Sequence, residues 1–382
     1  MGRTARLAGA LAATAALCLT APLLPATAAP PAPELALLEP SGPHPVGADT
    51  LHLRDESRAD PWVPTERREL MLTVWYPASR PGSAPTRYVT PAESRMFLEM
   101  QPGAPVEPPE VLSTVRTHAT TGAPPRPAGG GRPLVVLSPG FSWPRATLSG
   151  LAEELASRGY VVAAIGHNYE SAGTEFPDGR VTPCAACENP ELGAVARNRA
   201  ADVGFALDEV LGDPRFGGLV DPERIGVVGH SIGGAGAIEA MRADERIDAG
   251  VNLDGTFFAE SQQPLDRPFL MVGAGAHAPG GGDDSWDRTW DLLRGWKRWI
   301  TFNGAGHGSA TDVSMLSDQL GISNPGAPLP GARGAELGNR YVAAFLDQHL
   351  RGVPRPILDG PTEQHPEVLF WHHDVAEESH HP

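Results

Sequence analysis

Arg224-Ile-Gly-Val-Val-Gly-His-Ser-Ile-Gly-Gly234 is the most informative stretch of the chain. An apolar strand runs directly into Gly229-His-Ser-Ile-Gly233, and a helix rich in small residues follows. The turn between them is so tight that its apex residue takes a strained backbone and the residues two positions away must lack side chains. The hydroxyl of Ser231 is thereby exposed, and the positive end of the helix points at it. The stretch predicts a nucleophilic serine, with His230 as a packing residue.

A serine hydroxyl needs a base, and the base needs an orienting carboxylate. On α/β-hydrolase sheets the chain order is serine, acid, histidine. His307 follows the last predicted strand between glycines and is the best base. Two other histidines are excluded by position, because His277 follows an earlier strand and His349 lies in the final helix.

The orienting acid has two candidate locations. Asp254 ends the strand directly after the nucleophile, whereas Asp283 and Asp284 follow the next strand, the commoner location on this fold. Spacing alone leaves both open.

The oxyanion of the reaction needs two backbone N–H donors. One is the N–H of Ile232, directly after the serine. The other should come from the loop Ser138-Pro-Gly-Phe141, where Pro139 has no N–H to give. Phe141 is therefore the predicted partner of Ile232.

Strands and helices alternate from residue 69 onward, which predicts an α/β-hydrolase fold with a mostly parallel central sheet covered by helices on both faces. The predicted strands are Glu69–Tyr76, Pro133–Ser138, Tyr160–Ile165, Arg224–Val228, Ala249–Leu253, Pro268–Val272 and Arg298–Phe302. The predicted helices are Leu148–Ser157, Ala194–Leu211, Ile232–Arg242, Ser285–Leu293 and Leu337–Leu350. Two insertions, 79–131 and 167–193, follow strands and are expected to border the site.

The hydrolase domain is predicted to span residues 46–355, with further segments on either side. Arg3 and Arg6 precede an apolar stretch, and Ala26-Thr-Ala28 offers small residues to a signal peptidase, so residues 1–28 are expected to be a signal peptide of a secreted protein. Residues 29–45 are Pro-rich and expected to be a poorly ordered lead-in. Residues 356–382 are expected to be a C-terminal tail, whose histidines are solvated rather than metal-bound.

Composition excludes several classes of function. The formal net charge is −16, so no positive field exists to hold nucleic acid. No segment after the leader is apolar for long enough to span a bilayer, which argues against stable membrane insertion. Gly280-Gly-Gly282 is followed by acidic residues and is no phosphate loop. We predict no cofactor and no metal.

Two cysteines remain after the leader, Cys184 and Cys187, in a loop bounded by prolines. A redox-active pair would open a helix after a strand, and zinc would need two further ligands nearby. A local disulfide is the favoured prediction.

The chain resembles the platelet-activating factor acetylhydrolase family, which includes the lipoprotein-associated phospholipase A2. The resemblance runs from about Leu70 to Gly352. It rests on the ordered segments Val74-Trp-Tyr-Pro77, Leu134-Val-Val-Leu-Ser-Pro-Gly-Phe141, Gly159-Tyr-Val-Val-Ala-Ala-Ile-Gly-His167, Arg197-Asn-Arg-Ala-Ala-Asp202, Gly229-His-Ser-Ile-Gly-Gly234, Leu253-Asp-Gly255 and Gly306-His307. Pro139 departs from the family, which usually has a histidine before the oxyanion-loop glycine.

The resemblance implies that Asp254 is the acid, because the family's acid follows the strand after the elbow in a Leu-Asp context. It also implies a short-acyl ester of a lipid as substrate. The apolar residues expected to line the mouth, which suit an acyl chain, are Phe141, Trp143, Phe257 and Phe258. The alternatives are a cutinase-like polyester hydrolase, a general carboxylesterase and, from another class, a non-catalytic binding module of the same fold.

Overall fold

A computed structural model describes residues 34–103, 105–258, 261 and 263–371. The predicted signal peptide and the histidine-rich end of the chain lie outside these residues. The described strands are β1 (Val46–Ala59), β2 (Arg67–Pro77), β3 (Ala84–Pro85), β4 (Thr120–Thr121), β5 (Arg132–Ser138), β6 (Val161–His167), β7 (Gly173–Glu175), β8 (Val181–Pro183), β9 (Val220–His230), β10 (Ile247–Leu253), β11 (Phe269–Gly273), β12 (Lys297–Phe302) and β13 (Val368–Trp371). The described helices are α1 (Pro91–Glu99), α2 (Ser149–Ser157), α3 (Leu192–Gly212), α4 (Ile232–Ala243), α5 (Ser285–Leu292), α6 (Asp312–Gln319) and α7 (Gly331–Arg351).

The central sheet has the strand order β13-β12-β11-β10-β9-β5-β6-β2-β1-β4-β3. The strands from β12 to β6 in this order run parallel to their neighbours. The pairs β2–β6, β1–β2 and β12–β13 are antiparallel. This topology confirms the predicted α/β-hydrolase fold. The carboxyl ends of its parallel strands meet at one edge, where such sheets carry their sites.

Strand β9, which leads to the elbow, is packed from both sides. Ile225 and Val227 lie in a core shared with α3 and α4. Val228 points to the opposite face, in a core shared with α2 and α7. All three side chains are fully buried, and burying one aliphatic side chain contributes about 1.5–3 kcal/mol. The residue that follows β9 therefore starts from a rigid platform.

Outside the two insertions, the sequence prediction misses three described elements, namely β1, α6 and β13. In β1, Leu51 and Leu53 are buried whereas His52 and Arg54 face solvent. Such an alternating strand lacks the continuous apolar run that marks the central strands. An antiparallel strand with one wet face is therefore easily overlooked.

Residues 34–45 are not the poorly ordered lead-in that their prolines predict. Leu35 and Leu37 are buried in an apolar cluster with Met315 of α6. The main chain of Ala36 also exchanges two hydrogen bonds of 2.9 Å with the side-chain amide of Gln319. These anchors fix the segment despite its prolines.

The predicted C-terminal tail, 356–382, includes residues that belong to the folded domain. Val368 and Phe370 are buried in the core shared with α7. Their strand, β13, pairs antiparallel with β12 and covers the edge of the sheet. The exposed edge of β12 offers unpaired N–H and C=O groups, and these allow the four residues of β13 to pair with it.

The two insertions approach the same short segment after β5. In the first, α1 starts at a Thr90 capping box and brings Phe97 into edge contact with Trp143, with ring centroids 6.1 Å apart. In the second, Glu170 and Ala172 exchange backbone hydrogen bonds with Ser142. Both insertions thus pack against the loop predicted to hold the oxyanion.

Candidate active site

Ser231 sits at the apex of the turn between β9 and α4, with φ 56°. Two glycines make this turn possible. A Cβ on Gly229 would come within 1.9 Å of the Gly233 carbonyl oxygen, and one on Gly233 within 2.2 Å of the Ser138 carbonyl oxygen. The two glycines therefore allow the close backbone contacts of this turn, as predicted from the sequence.

The structure brings Ser231, His307 and Asp254 together. His307 Nε2 lies 2.9 Å from Ser231 Oγ. On the other side of the ring, His307 Nδ1 lies 2.7 Å from Asp254 Oδ2. The His307 side chain is 52% exposed, whereas the Asp254 side chain is only 9% exposed. The three groups have the geometry of a nucleophile, its base and the carboxylate that orients the base.

The carboxylate of Asp254 is buried yet held in its ionised form. Burial raises the pKa of a carboxyl group, but hydrogen bonds from His277 and His307 outweigh it and hold the pKa of Asp254 well below its ordinary value. The backbone N–H of Ala274 also donates to Oδ1 at 2.6 Å. The carboxylate is therefore fixed in place and charged.

The other two candidate acids are placed differently. Asp283 lies 3.2 Å from Nε2 of His277 and caps the N–H of Ser285. Asp284 is exposed and pairs with Arg288 one helical turn on. The acid that contacts His307 is therefore Asp254, which directly follows β10, as the family resemblance implied.

The predicted oxyanion donors come from neighbouring elements. Phe141 follows β5, and Ile232 opens α4. The Phe141 side chain packs against the apolar cluster that contains Ile232. The positive end of α4 points toward the space beside Ser231 Oγ, where a tetrahedral intermediate would carry its charge.

Arg199 of α3 supports the oxyanion loop, a function that sequence reasoning missed. Its buried guanidinium donates to the carbonyl oxygens of Pro139 and Gly140. Glu170 holds the guanidinium in turn, through Nε at 2.8 Å. Arg199 lies on the apolar face of α3 next to Ala196 and Ala200, and a charge on a buried stripe is the signal that could have found it.

His167, at the end of β6, braces the start of the same loop. Its Nε2 lies 2.9 Å from Ser138 Oγ, and its Nδ1 lies 2.8 Å from Asp202. Asp202 also binds Arg68, which is fully buried. Burial raises the pKa of a carboxyl group, but Arg68 and His167 keep the pKa of Asp202 far below its ordinary value. A buried network of charges thus anchors the loop to the sheet.

His230 is buried and has no place in proton transfer. Burial, and then the nearby His307, lower the pKa of His230 to about 3, so its ring is neutral. Its Nε2 donates to the backbone carbonyl of His307 at 2.7 Å. Trp143 stacks on the ring with centroids 4.7 Å apart. His230 is therefore a packing residue that holds the loop of the base.

His277 is the second imidazole on Asp254. Its Nδ1 lies 2.7 Å from Oδ1 of the carboxylate whose Oδ2 binds His307. The prediction that His277 is not the base agrees with this arrangement, because Asp254 separates it from Ser231. Sequence reasoning gave no sign that the two rings share one carboxylate.

Three of the four residues expected at the mouth are accessible. Phe141 and Trp143 are half-buried, and Phe258 is 37% exposed. Phe257 is an error in the prediction, because it is buried between Phe269 and Trp286 in the core. The mouth is apolar without it.

The remaining predicted features lie away from the triad. Cys184 and Cys187 form a disulfide. Among the residues that the structure describes, no helix is long and apolar enough to cross a bilayer. Within the same ranges, His, Cys, Asp and Glu side chains form no group of three that could hold a metal ion.

Comparison with known proteins agrees with the geometry. A family model described as PETase, PET hydrolase-like, matches residues 91–314. A solved ferulic acid esterase from Streptomyces cinnamoneus is 45% identical with a TM-score of 0.80, covering 88% of this chain and 99% of its own.

Two curated relatives point in different directions. A probable 1-alkyl-2-acetylglycerophosphocholine esterase from Arthroderma benhamiae is 28% identical over 87% of this chain and 93% of its own length. A bis(hydroxyethyl) terephthalate hydrolase from Streptomyces coelicolor is 30% identical over 37% of this chain and 38% of its own. These similarities confirm the relationship inferred from the ordered segments, and every one of these proteins is named for the hydrolysis of an ester.

Proposed function

Because this chain belongs to the PET hydrolase-like family and is a carboxylic ester hydrolase, we propose that Ser231, His307 and Asp254 are its catalytic triad. The observation that carries the proposal is the continuous hydrogen-bonded chain from Ser231 Oγ through the His307 ring to Asp254, at 2.9 and 2.7 Å. Such a chain lets the imidazole take the serine proton while the carboxylate stabilises the imidazolium that forms.

The reaction then runs in two halves. Ser231 Oγ attacks the ester carbonyl carbon as its proton passes to His307 Nε2, and the N–H groups of Phe141 and Ile232 hold the resulting oxyanion. His307 returns the proton to the alcohol oxygen, which leaves, so that the acyl group remains on Ser231. A water molecule, deprotonated by His307, releases the acid and restores the serine.

The proposed substrate is a short-acyl ester of a lipid. The accessible aromatic residues beside the triad, Phe141 and Trp143, suit an acyl chain and its apolar body. The relative from Arthroderma benhamiae, which matches along most of its length, is named for an acetyl ester of a glycerophosphocholine. The same aromatic surface also suits an aromatic ester, and the ferulic acid esterase favours that second candidate.

We further propose that the chain is exported and loses residues 1–28. The basic and apolar leader and the small residues at Ala26 and Ala28 support this. The disulfide between Cys184 and Cys187 suits an oxidising compartment.

One substrate panel tests the proposed activity. Values of kcat/KM should be compared for an acetyl-phospholipid, a long-acyl phospholipid, methyl ferulate, p-nitrophenyl esters of increasing length and a solid polyester. We expect preference for the acetyl-phospholipid, and a preference for ferulate or the polymer would replace that substrate with the corresponding ester. Ser231→Ala is the control for every substrate, and wild-type turnover in that variant would reject the triad itself.

A further inference from the structure

Asp254 accepts hydrogen bonds from two histidines, one on each carboxylate oxygen. Oδ2 binds His307, and Oδ1 binds His277 Nδ1 at 2.7 Å. The other nitrogen of His277, Nε2, lies 3.2 Å from Asp283 Oδ2. Two imidazoles and two carboxylates thus alternate in one hydrogen-bonded line, which leads from Ser231 to Asp283.

This line determines the protonation state of His277. An ionised carboxylate accepts hydrogen bonds and cannot donate them. A neutral imidazole carries one N–H and could satisfy only one of its two carboxylate neighbours, whereas an imidazolium satisfies both. The contacts on both sides of the ring therefore require a positive charge.

The surroundings of His277 agree with a cation. Its ring stacks on Trp286 with centroids 4.5 Å apart and planes 10° apart, and an indole face attracts a positive charge. Burial lowers the pKa of a histidine, but Asp254 and then Asp283 raise the pKa of His277 above its ordinary value. Among the described residues, β12 contributes to this environment only uncharged side chains, Trp299 and Thr301, which donate to the His277 carbonyl.

We propose that His277 is a positioning residue of the active site, a doubly hydrogen-bonded imidazolium that fixes the Asp254 carboxylate, offsets part of its negative charge and thereby extends activity to lower pH. The proposal rests on the triad described above. A positive charge held on the same carboxylate disfavours a second positive charge on His307. Its removal should therefore shift the acid limit of activity upward.

Asparagine separates the two effects of His277. In His277→Asn the short side-chain amide can still donate to Asp254 but carries no charge, whereas His277→Ala removes both the donor and the charge. His349→Asn is the matched control, because His349 lies in α7 against Trp296 and Phe345, away from the triad.

The test is the pH profile of kcat/KM from pH 4.5 to 9. For His277→Asn we expect the acid limb to move up by about 0.5–1 pH unit, with turnover above pH 8 within about threefold of the parent. His277→Ala should show the same shift and about tenfold lower turnover above pH 8, because the carboxylate is no longer held. His349→Asn should keep the parent profile. An acid limb that stays in place or moves down in His277→Asn would overturn the proposal.

Nuclear magnetic resonance gives a second measurement, which needs no activity. The Ser231→Ala protein is labelled with 15N-histidine. The His277 signals are identified as those missing from the spectrum of the double variant Ser231→Ala, His277→Asn. At pH 7 both ring nitrogens should carry a proton, and a neutral tautomer there would also refute the proposal. An unshifted pH profile or a neutral His277 would reject only the role of His277. As long as Ser231→Ala is inactive, the proposed function would still stand. An active Ser231→Ala enzyme would instead reject the proposed function.

Discussion

The guanidinium of Arg199 is hydrogen-bonded to the carbonyl oxygen of Pro139, the residue where the related family usually has a histidine. A proline has no polar side chain that could hold the oxyanion loop in place. In this chain the buried side chain of Arg199 holds the loop instead. The support reaches the carbonyl groups of the loop, directly before Phe141, whose N–H we propose as an oxyanion donor. Arg199 is therefore expected to influence catalysis by positioning the loop, without contacting the substrate itself.

Replacing Arg199 by lysine should lower kcat by about 10²-fold with a smaller change in KM. The N–H groups of a lysine all lie on one nitrogen and cannot reproduce the planar fork that reaches both loop carbonyls and Glu170, and a misplaced oxyanion donor costs about 10²–10³ in turnover. The melting temperature should also fall, since Glu170 would be left buried with a poorer partner. The control is Arg197→Lys on the exposed side of the same helix, whose side chain is 61% exposed. Equal kcat values for the two variants would mean that the loop does not depend on Arg199.

Asp254→Asn should reduce turnover by about 10⁴-fold while the fold is retained. The amide can present an N–H to His307 Nδ1 and so favour the wrong tautomer of the ring. Asp284→Asn is the matched control, because that carboxylate is exposed and pairs with Arg288 on the surface of α5. Circular dichroism should show both variants folded. Severe loss in Asp284→Asn with none in Asp254→Asn would reassign the acid.

Stability should decrease as the pH is lowered below about 6.5. The unfolded chain binds a proton at His230 near that pH, whereas the folded protein keeps this ring neutral because burial lowers the pKa to about 3. A group of this kind contributes a slope of about 1.4 kcal/mol per pH unit to the free energy of unfolding in that interval. Urea unfolding at pH 7, 6 and 5 measures the slope.

His230→Gln should flatten this dependence, because glutamine does not titrate. His52→Gln serves as the control, since that ring lies on the outer, exposed face of β1. A slope that is the same in all three proteins would show that the pH dependence has another source.

The exported protein should begin close to Ala29. Intact-mass measurement on protein secreted from a bacterial host reports the cleavage site directly. Substituting a large charged residue for the small one before the cut, as in Ala28→Glu, should block processing and leave the longer chain with the membranes. A parent protein of full length in the membrane fraction would contradict the proposed leader.

The parts of the site that sequence analysis predicted are those fixed locally. Ser231 is recognisable because two glycines, a strand and a helix must surround it within a few residues. The choice between Asp254 and Asp283 is different in kind, because both follow parallel strands and only the path of the loops decides which reaches His307. Spacing could not settle that choice, and the resemblance to a family did.

The errors have the same physical origin. Phe257 and Phe258 are adjacent, and packing against Phe269 and Trp286 decides that Phe257 is the one that points inward. The hydrogen bonds from Arg199 to Pro139 and from His277 to Asp254 join residues more than 20 positions apart. No local pattern predicts such a partner. The prediction for residues 34–45 is wrong for the same reason, because Leu35 packs against helix α6, about 280 positions further along the chain.

The clasp between Ala36 and Gln319 joins residues 283 positions apart, and this separation constrains the order of folding. Synthesis from the N-terminus makes Leu35 and Leu37 long before Met315 and Leu316 of α6, which pack against them. Contacts so distant along the chain form late, because their loop-closure entropy is repaid only once the intervening structure exists. Leu35 and Leu37 therefore remain uncovered until α6 docks, and on the proposed export route the beginning of the chain would be the segment that a secretion chaperone has to hold.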